Sequence, residues 1–122
     1  MKSGGRILLA LALAVTGLAK LLSGHEPHYL LGAGPYFWVG VGEVALSGML
    51  ALERCTCSIA VLVQVGAAAA IVAAFASPSP CGCFGALFEA SRSEHVMLAS
   101  ALGLLACLVR RQSRRTPISP PP

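Results

Sequence analysis

The sequence predicts an all-α integral membrane protein: a four-helix bundle with both termini on the cytoplasmic side. Three observations carry this expectation. Of 122 residues, 56% are hydrophobic and only 11% are charged, whereas a soluble domain carries about 25% charged residues to cover its core. The apolar residues gather into four runs, at about 7–23, 36–53, 57–76 and 94–109. Lys and Arg fall almost entirely on one side of a four-span arrangement, and that bias orients membrane helices.

The first run, from Ile7 to Leu22, is interrupted only by Thr16, Gly17 and Lys20. It follows a basic start, and Gly17-Leu18-Ala19 offers small residues suited to signal-peptide cleavage. Lys20 and Leu21-Leu22 continue the segment, which favours a retained span; cleavage would leave three. The second run starts behind Gly32-Ala33-Gly34-Pro35, with proline at a helix start, and contains Glu43. Glu53-Arg54 forms a polar turn before the third run, whose one strongly polar residue is Gln64. Ser77-Pro78-Ser79-Pro80 stops that run, because proline lacks an amide proton and clashes with the preceding turn. The fourth is the shortest. Runs of this size span about 22–29 Å as helices, slightly under a hydrocarbon core of about 30 Å. The lack of period-two alternation and the richness in Ala, Leu and Gly argue against strands.

Residues 110–122, RRQSRRTPISPPP, read as a disordered basic cytoplasmic tail behind a single domain, residues 1–109. Lys2, Arg6, Arg54, Arg110, Arg111, Arg114 and Arg115 share the side assigned as cytoplasmic, leaving Arg92 opposite. These residues sit at the ends of apolar runs, so the formal charge of +4 does not indicate a nucleic-acid groove. The tail is suited to anionic lipid headgroups or to stopping transfer. Tyr29, Tyr36 and Trp38 cluster near the opposite boundary, as interfacial anchors do. Rows of small residues at four-residue intervals, Gly66/Ala70/Ala74 and Ala99/Gly103/Cys107, suit close helix contacts.

Cysteine supplies the chemistry. Cys81-Gly82-Cys83 lies in the non-cytoplasmic connection between the third and fourth runs, behind Pro80 and ahead of Phe84-Gly85. Joining two cysteines one residue apart requires a bend that Gly82 permits. Such a constrained ring is more easily reduced than a relaxed bridge. An oxidising compartment suits it, making Cys81 and Cys83 candidates for thiol–disulfide exchange. The same residues also fit a static loop staple. A metal site would need further ligands, such as His25, His28 and His95, on converging loops. On the cytoplasmic side, Cys55-Thr56-Cys57 and Cys107 fit either a second thiol cluster or ordinary small residues at helix ends.

Two charges, Lys20 and Glu43, fall inside apolar runs, where isolated charges cost several kcal/mol. Pairing or protonation is expected, either as an interhelical clamp with Lys20 partly snorkelling or as a site that handles protons or holds a membrane quinone.

The run Pro80-Cys81-Gly82-Cys83-Phe84-Gly85, together with Gly17-Leu18-Ala19-Lys20-Leu21 and Gly42-Glu43, resembles the methylamine-utilisation MauE family and related DoxX-like membrane proteins. The resemblance extends to about Arg110; it does not include Cys55 and Cys57. It implies a four-helix bundle of the bacterial inner membrane with a periplasm-facing CxC. It further implies maturation of a disulfide-rich, quinone-cofactor enzyme subunit, with a periplasmic thioredoxin-like or disulfide-rich partner. The competing expectation is a non-enzymatic accessory subunit of a larger membrane complex, using CGC only to shape a loop.

Overall fold

The structure is a computed structural model and describes residues 3–23, 32–76 and 91–115. These residues form four helices, α1 (Gly4–Ser23), α2 (Ala33–Ala51), α3 (Thr56–Ala76) and α4 (Arg92–Arg115). Three contain stretches long and apolar enough to cross a membrane: Gly4–Leu22, Thr56–Ala76 and Arg92–Arg115. Although α2 has 19 residues, it is not one of these three. Gly34, Pro35, Gly40, Gly42, Ser47 and Gly48 dilute its apolar content, and it carries Glu43.

The helices are longer than their apolar runs. At 1.5 Å per residue the 20, 19, 21 and 24 residues of α1 to α4 extend about 28–36 Å, so the expected length deficit remains only for α2, and there it is slight. Part of the added length comes from α4. The expectation of a disordered tail from Arg110 fails for residues 110–115, which continue the helix. Arg114 and Arg115 occupy its last turn, where cations complement the partial negative charge of exposed carbonyls. Its final turns also meet the start of α1: Gly5 faces Leu105, Val109 and Gln112. Residues 116–122 lie outside the described residues.

The helices associate as two hairpins. α1 packs along α2 and α3 along α4, whereas α1 meets α4 lightly and α2 scarcely meets α3. In the first hairpin, Ser47 donates a hydrogen bond to the Ala10 carbonyl at 2.8 Å, and Gly17 faces Gly40 nearer the other end. The buried core contains Leu9, Ala10, Leu13, Leu50, Ile59, Ala60, Val63, Ala106 and Val109. All sit in the helix halves nearest the α2–α3 turn. The helices therefore converge at the end that carries Arg6, Arg54 and Arg110, and Arg6 pairs with Glu53 there at 2.6 Å.

The outward faces are apolar. Leu8, Leu11, Leu18, Leu62, Val65, Val72, Phe75 and Leu104 are all exposed. A contiguous surface of this kind is unstable in water and is accommodated by lipid, so the helices associate with a bilayer.

Two local motifs fix helix ends. Leu52 caps α2, Glu53 donates to the Leu50 carbonyl at 3.1 Å, and Arg54 donates to the Met49 carbonyl at 2.9 Å. This is a Schellman arrangement, whose left-handed position usually holds glycine; here Glu53 occupies it at φ 60°. Cys55 follows at φ 50°, and its carbonyl accepts the first bond of α3, from Ile59. At the start of α4, the Ser91 amide donates to the Glu94 carboxylate at 2.6 Å, and the Glu94 amide donates to Ser91 Oγ at 3.4 Å. That reciprocal pair is a capping box.

Two expectations require correction. Gly66 does not bring backbones together: a Cβ there would meet nothing within 4 Å, while Gly103 does pack on Ala67. The row on α4 thus serves helix contact, and Gly66 on α3 faces open space. Tyr36 is no interfacial anchor, being only 2% exposed. Trp38 faces outward, edge-on to Phe37 at 5.7 Å between ring centroids.

Candidate functional site

The first hairpin is built around a glycine crossing. A Cβ on Gly17 would lie 2.8 Å from the Gly40 carbonyl oxygen and 3.0 Å from Glu43 Cβ. A Cβ on Gly40 would lie 3.2 Å from both the Gly17 carbonyl oxygen and Lys20 Cβ. Gly17 must lack a side chain for the backbones to approach this closely, and a Cβ at Gly40 would need its neighbours to give by a few tenths of an ångström. Each glycine is followed three residues later by a charge, in Gly17-x-x-Lys20 and Gly40-x-x-Glu43. Because residues three apart share a helix face, the crossing brings both charges to the interface. The helices are antiparallel, so the charges sit on opposite sides of the crossing. The long lysine stem spans the offset.

The result is a bidentate ion pair. Lys20 Nζ donates to Glu43 Oε1 at 2.9 Å and to Oε2 at 2.8 Å. The two side chains are buried unequally: Lys20 is 1% exposed and Glu43 is 21% exposed. The Thr16 hydroxyl lies one turn before Lys20 and donates to the Ala12 and Leu13 carbonyls at 3.1 and 3.2 Å.

Glu43 owes its exposure to a cleft. Between the hairpins lies a cavity of about 470 Å³, walled by Leu13, Thr16 and Lys20 of α1, Val39, Gly42, Glu43 and Leu46 of α2, and Leu62, Gly66 and Ala70 of α3, with Ala99 and Leu102 from α4. Its size falls in the usual range of small-molecule sites, roughly 300–1,000 Å³. Among the described residues, Lys20 and Glu43 are its only charged wall residues, and Thr16 adds a hydroxyl. The cleft exists because α2 and α3 scarcely touch and because α3 presents Gly66 and alanines where larger residues would fill the gap.

The remaining candidates fare differently. Cys55, Cys57 and Cys107 are free thiols, Cys55 exposed and the other two half-buried. No group of three His, Cys, Asp or Glu side chains among the described residues is arranged to hold a metal ion. The three thiols thus do not form a three-ligand metal cluster. His95 packs its Nδ1 3.2 Å from the Ser91 carbonyl at the start of α4. Cys81, Cys83 and the supporting Pro80, Gly82, Phe84 and Gly85 lie outside the described residues, as do His25, His28 and Tyr29.

Sequence reasoning selected Lys20 and Glu43 but not the partner of Gly17. It singled out Gly42, beside Glu43, whereas Gly40 makes the contact and Gly42 has open space around its Cβ position. The signal was present as the matched G-x-x-charge spacing on the two helices. No family model matches this chain, and neither a curated protein nor a solved structure is significantly similar to it.

Proposed function

We propose that this chain is a four-span protein of the bacterial cytoplasmic membrane that carries out thiol–disulfide exchange through Cys81 and Cys83. In this reading it assists disulfide formation or maturation of a periplasmic partner. The observation that carries the proposal is the separation of charge between the ends of the helices. Arg6, Arg54, Arg110, Arg111, Arg114 and Arg115 belong to one end, while Ala76 and Arg92, which bracket the CGC segment, belong to the other. Basic residues are retained in the cytoplasm, which supports a reading with the CGC segment on the oxidising side, where disulfides persist. α2 serves as the fourth span despite Glu43, because Lys20 neutralises that charge within the protein.

The chemistry is an exchange. A partner thiolate attacks the Cys81–Cys83 disulfide, forming a mixed disulfide and releasing the other cysteine as a thiolate. The partner's second thiolate then attacks the mixed disulfide. The partner leaves oxidised, and Cys81 and Cys83 are left as a dithiol. A second periplasmic disulfide, of a thioredoxin-like protein, takes the two electrons by the same steps in reverse. Removal of one cysteine strands the intermediate. Cys83→Ser and Cys81→Ser variants are expected to accumulate mixed disulfides in cells, visible as reducible higher-mass species on nonreducing gels. A non-enzymatic accessory subunit would capture nothing in either variant.

A further inference from the structure

We propose that the cleft between the two hairpins is a binding site for a neutral, membrane-soluble amphiphile with a hydroxyl-bearing head, of the quinol class. This goes beyond the thiol-exchange reading and does not depend on it. The walls define the ligand. Among the described residues they are almost wholly apolar; the polar features are the Lys20–Glu43 pair and the Thr16 hydroxyl, whose proton is already directed to the carbonyls of its own helix. The pair carries no net charge, and a second ion in such surroundings would be left uncompensated. A neutral ligand is therefore selected.

The orientation of the pair determines which kind of polar head fits. Lys20 is sequestered and already donates to both carboxylate oxygens, while Glu43 retains exposure on the cleft side. What the cleft presents is an acceptor. A ligand that donates an O–H can meet the remaining lone pairs of Glu43, whereas a head with only carbonyl oxygens finds no exposed donor from the ion pair. The reduced hydroquinone is preferred over the quinone for this reason.

Access is from the side. α2 and α3 are the least associated neighbours, and wall residues Val39 and Leu62 are 40% and 56% exposed at their edges. An apolar tail can lie between these helices toward lipid while the head reaches Glu43. Polyprenols share the hydroxyl and the apolar chain, so the source of the hydroxyl must be separated by experiment.

The test uses the full-length protein in lipid nanodiscs and an alkyl hydroquinone carrying a photoreactive diazirine, kept reduced. Cross-links are expected to map to Val39, Leu62 and their neighbours. A Cβ at Gly66 meets nothing within 4 Å, and Gly66 lines the cleft, so Gly66→Leu projects its side chain into that space and should lower specific labelling at least tenfold in a folded protein. Glu43→Gln, scored on the fraction that remains folded, should weaken labelling by a similar factor. Unlabelled hydroquinone should compete at a tenfold lower concentration than the matching quinone. Competition by a polyprenol as strong as that by the hydroquinone supports the hydroxyl-headed class and names the alcohol as an equal source. Equal or better competition by the quinone overturns the assignment. So does labelling of Gly66→Leu at the wild-type level, or labelling spread evenly over outward residues such as Val72 and Leu104. A Cys81→Ser/Cys83→Ser protein should label normally, so failure here is distinguishable from failure of thiol exchange.

Discussion

The ion pair and the glycine crossing set the energetics of the first hairpin. Replacing one member of a buried pair leaves the other charge without compensation, at a cost of about 3–5 kcal/mol. Lys20→Met and Glu43→Gln should therefore each lower stability strongly, read as a shift in the SDS-induced unfolding midpoint of purified protein. The double variant Lys20→Met/Glu43→Leu should recover most of that loss, since an apolar pair of similar volume carries no desolvation penalty. A double variant as unstable as either single would mean that the pair's geometry, not its charge balance, stabilises the hairpin. The glycines give a second contrast. Gly17→Ala places a methyl group 2.8 Å from a backbone oxygen and should cost about 1–3 kcal/mol as overpacking. Gly42→Ala meets open space and should be neutral or stabilise by up to about 1 kcal/mol through helix propensity. Equal effects at both positions would contradict the crossing.

At the scale of the elements, the α2–α3 turn holds two non-glycine residues in left-handed backbone. An L-residue there costs roughly 1–2 kcal/mol. Glu53→Gly removes that cost and loses the Arg6 pair, which is largely exposed on the glutamate side and worth about 0–1 kcal/mol. The variant should be neutral to about 1 kcal/mol more stable by thermal denaturation; a clear loss would assign Arg6–Glu53 a larger role. Helix content and polar breaks were legible in the sequence because long apolar runs and prolines act locally. Helix ends were not. The Ser91-x-x-Glu94 box starts α4 ahead of its apolar run, and packing against α1 carries its basic end to Arg115. Burial of Tyr36 was hidden for a similar reason: aromatic rings near a boundary read as anchors unless their facing neighbours are known.

For the whole molecule, the decisive feature is the asymmetry between a closed basic end and an open cleft toward the other. The sequence revealed which residues were charged within the spans, and Lys20 and Glu43 do meet as an ion pair. It did not reveal the cleft, because a row of small residues, Gly66 and Ala70, reads the same whether it packs against a helix or lines a void. Choosing between those depends on how four helices splay, which no local pattern encodes. The two cysteine pairs fall at different places along the chain. Cys55 and Cys57 sit at the α2–α3 turn, beside the Arg6–Glu53 pair and next to Arg54, whereas Cys81 and Cys83 fall between Ala76 and Arg92 in the sequence.

That difference can be measured directly in intact cells with a membrane-impermeant maleimide, in a protein whose Cys55, Cys57 and Cys107 are replaced by serine. If Cys81 and Cys83 form a cycling periplasmic dithiol, they will resist labelling under oxidising conditions and take up two maleimides after mild external reduction. They will close again when the reductant is removed. Labelling that needs the inner membrane to be permeabilised, or that ignores the redox poise altogether, contradicts the account.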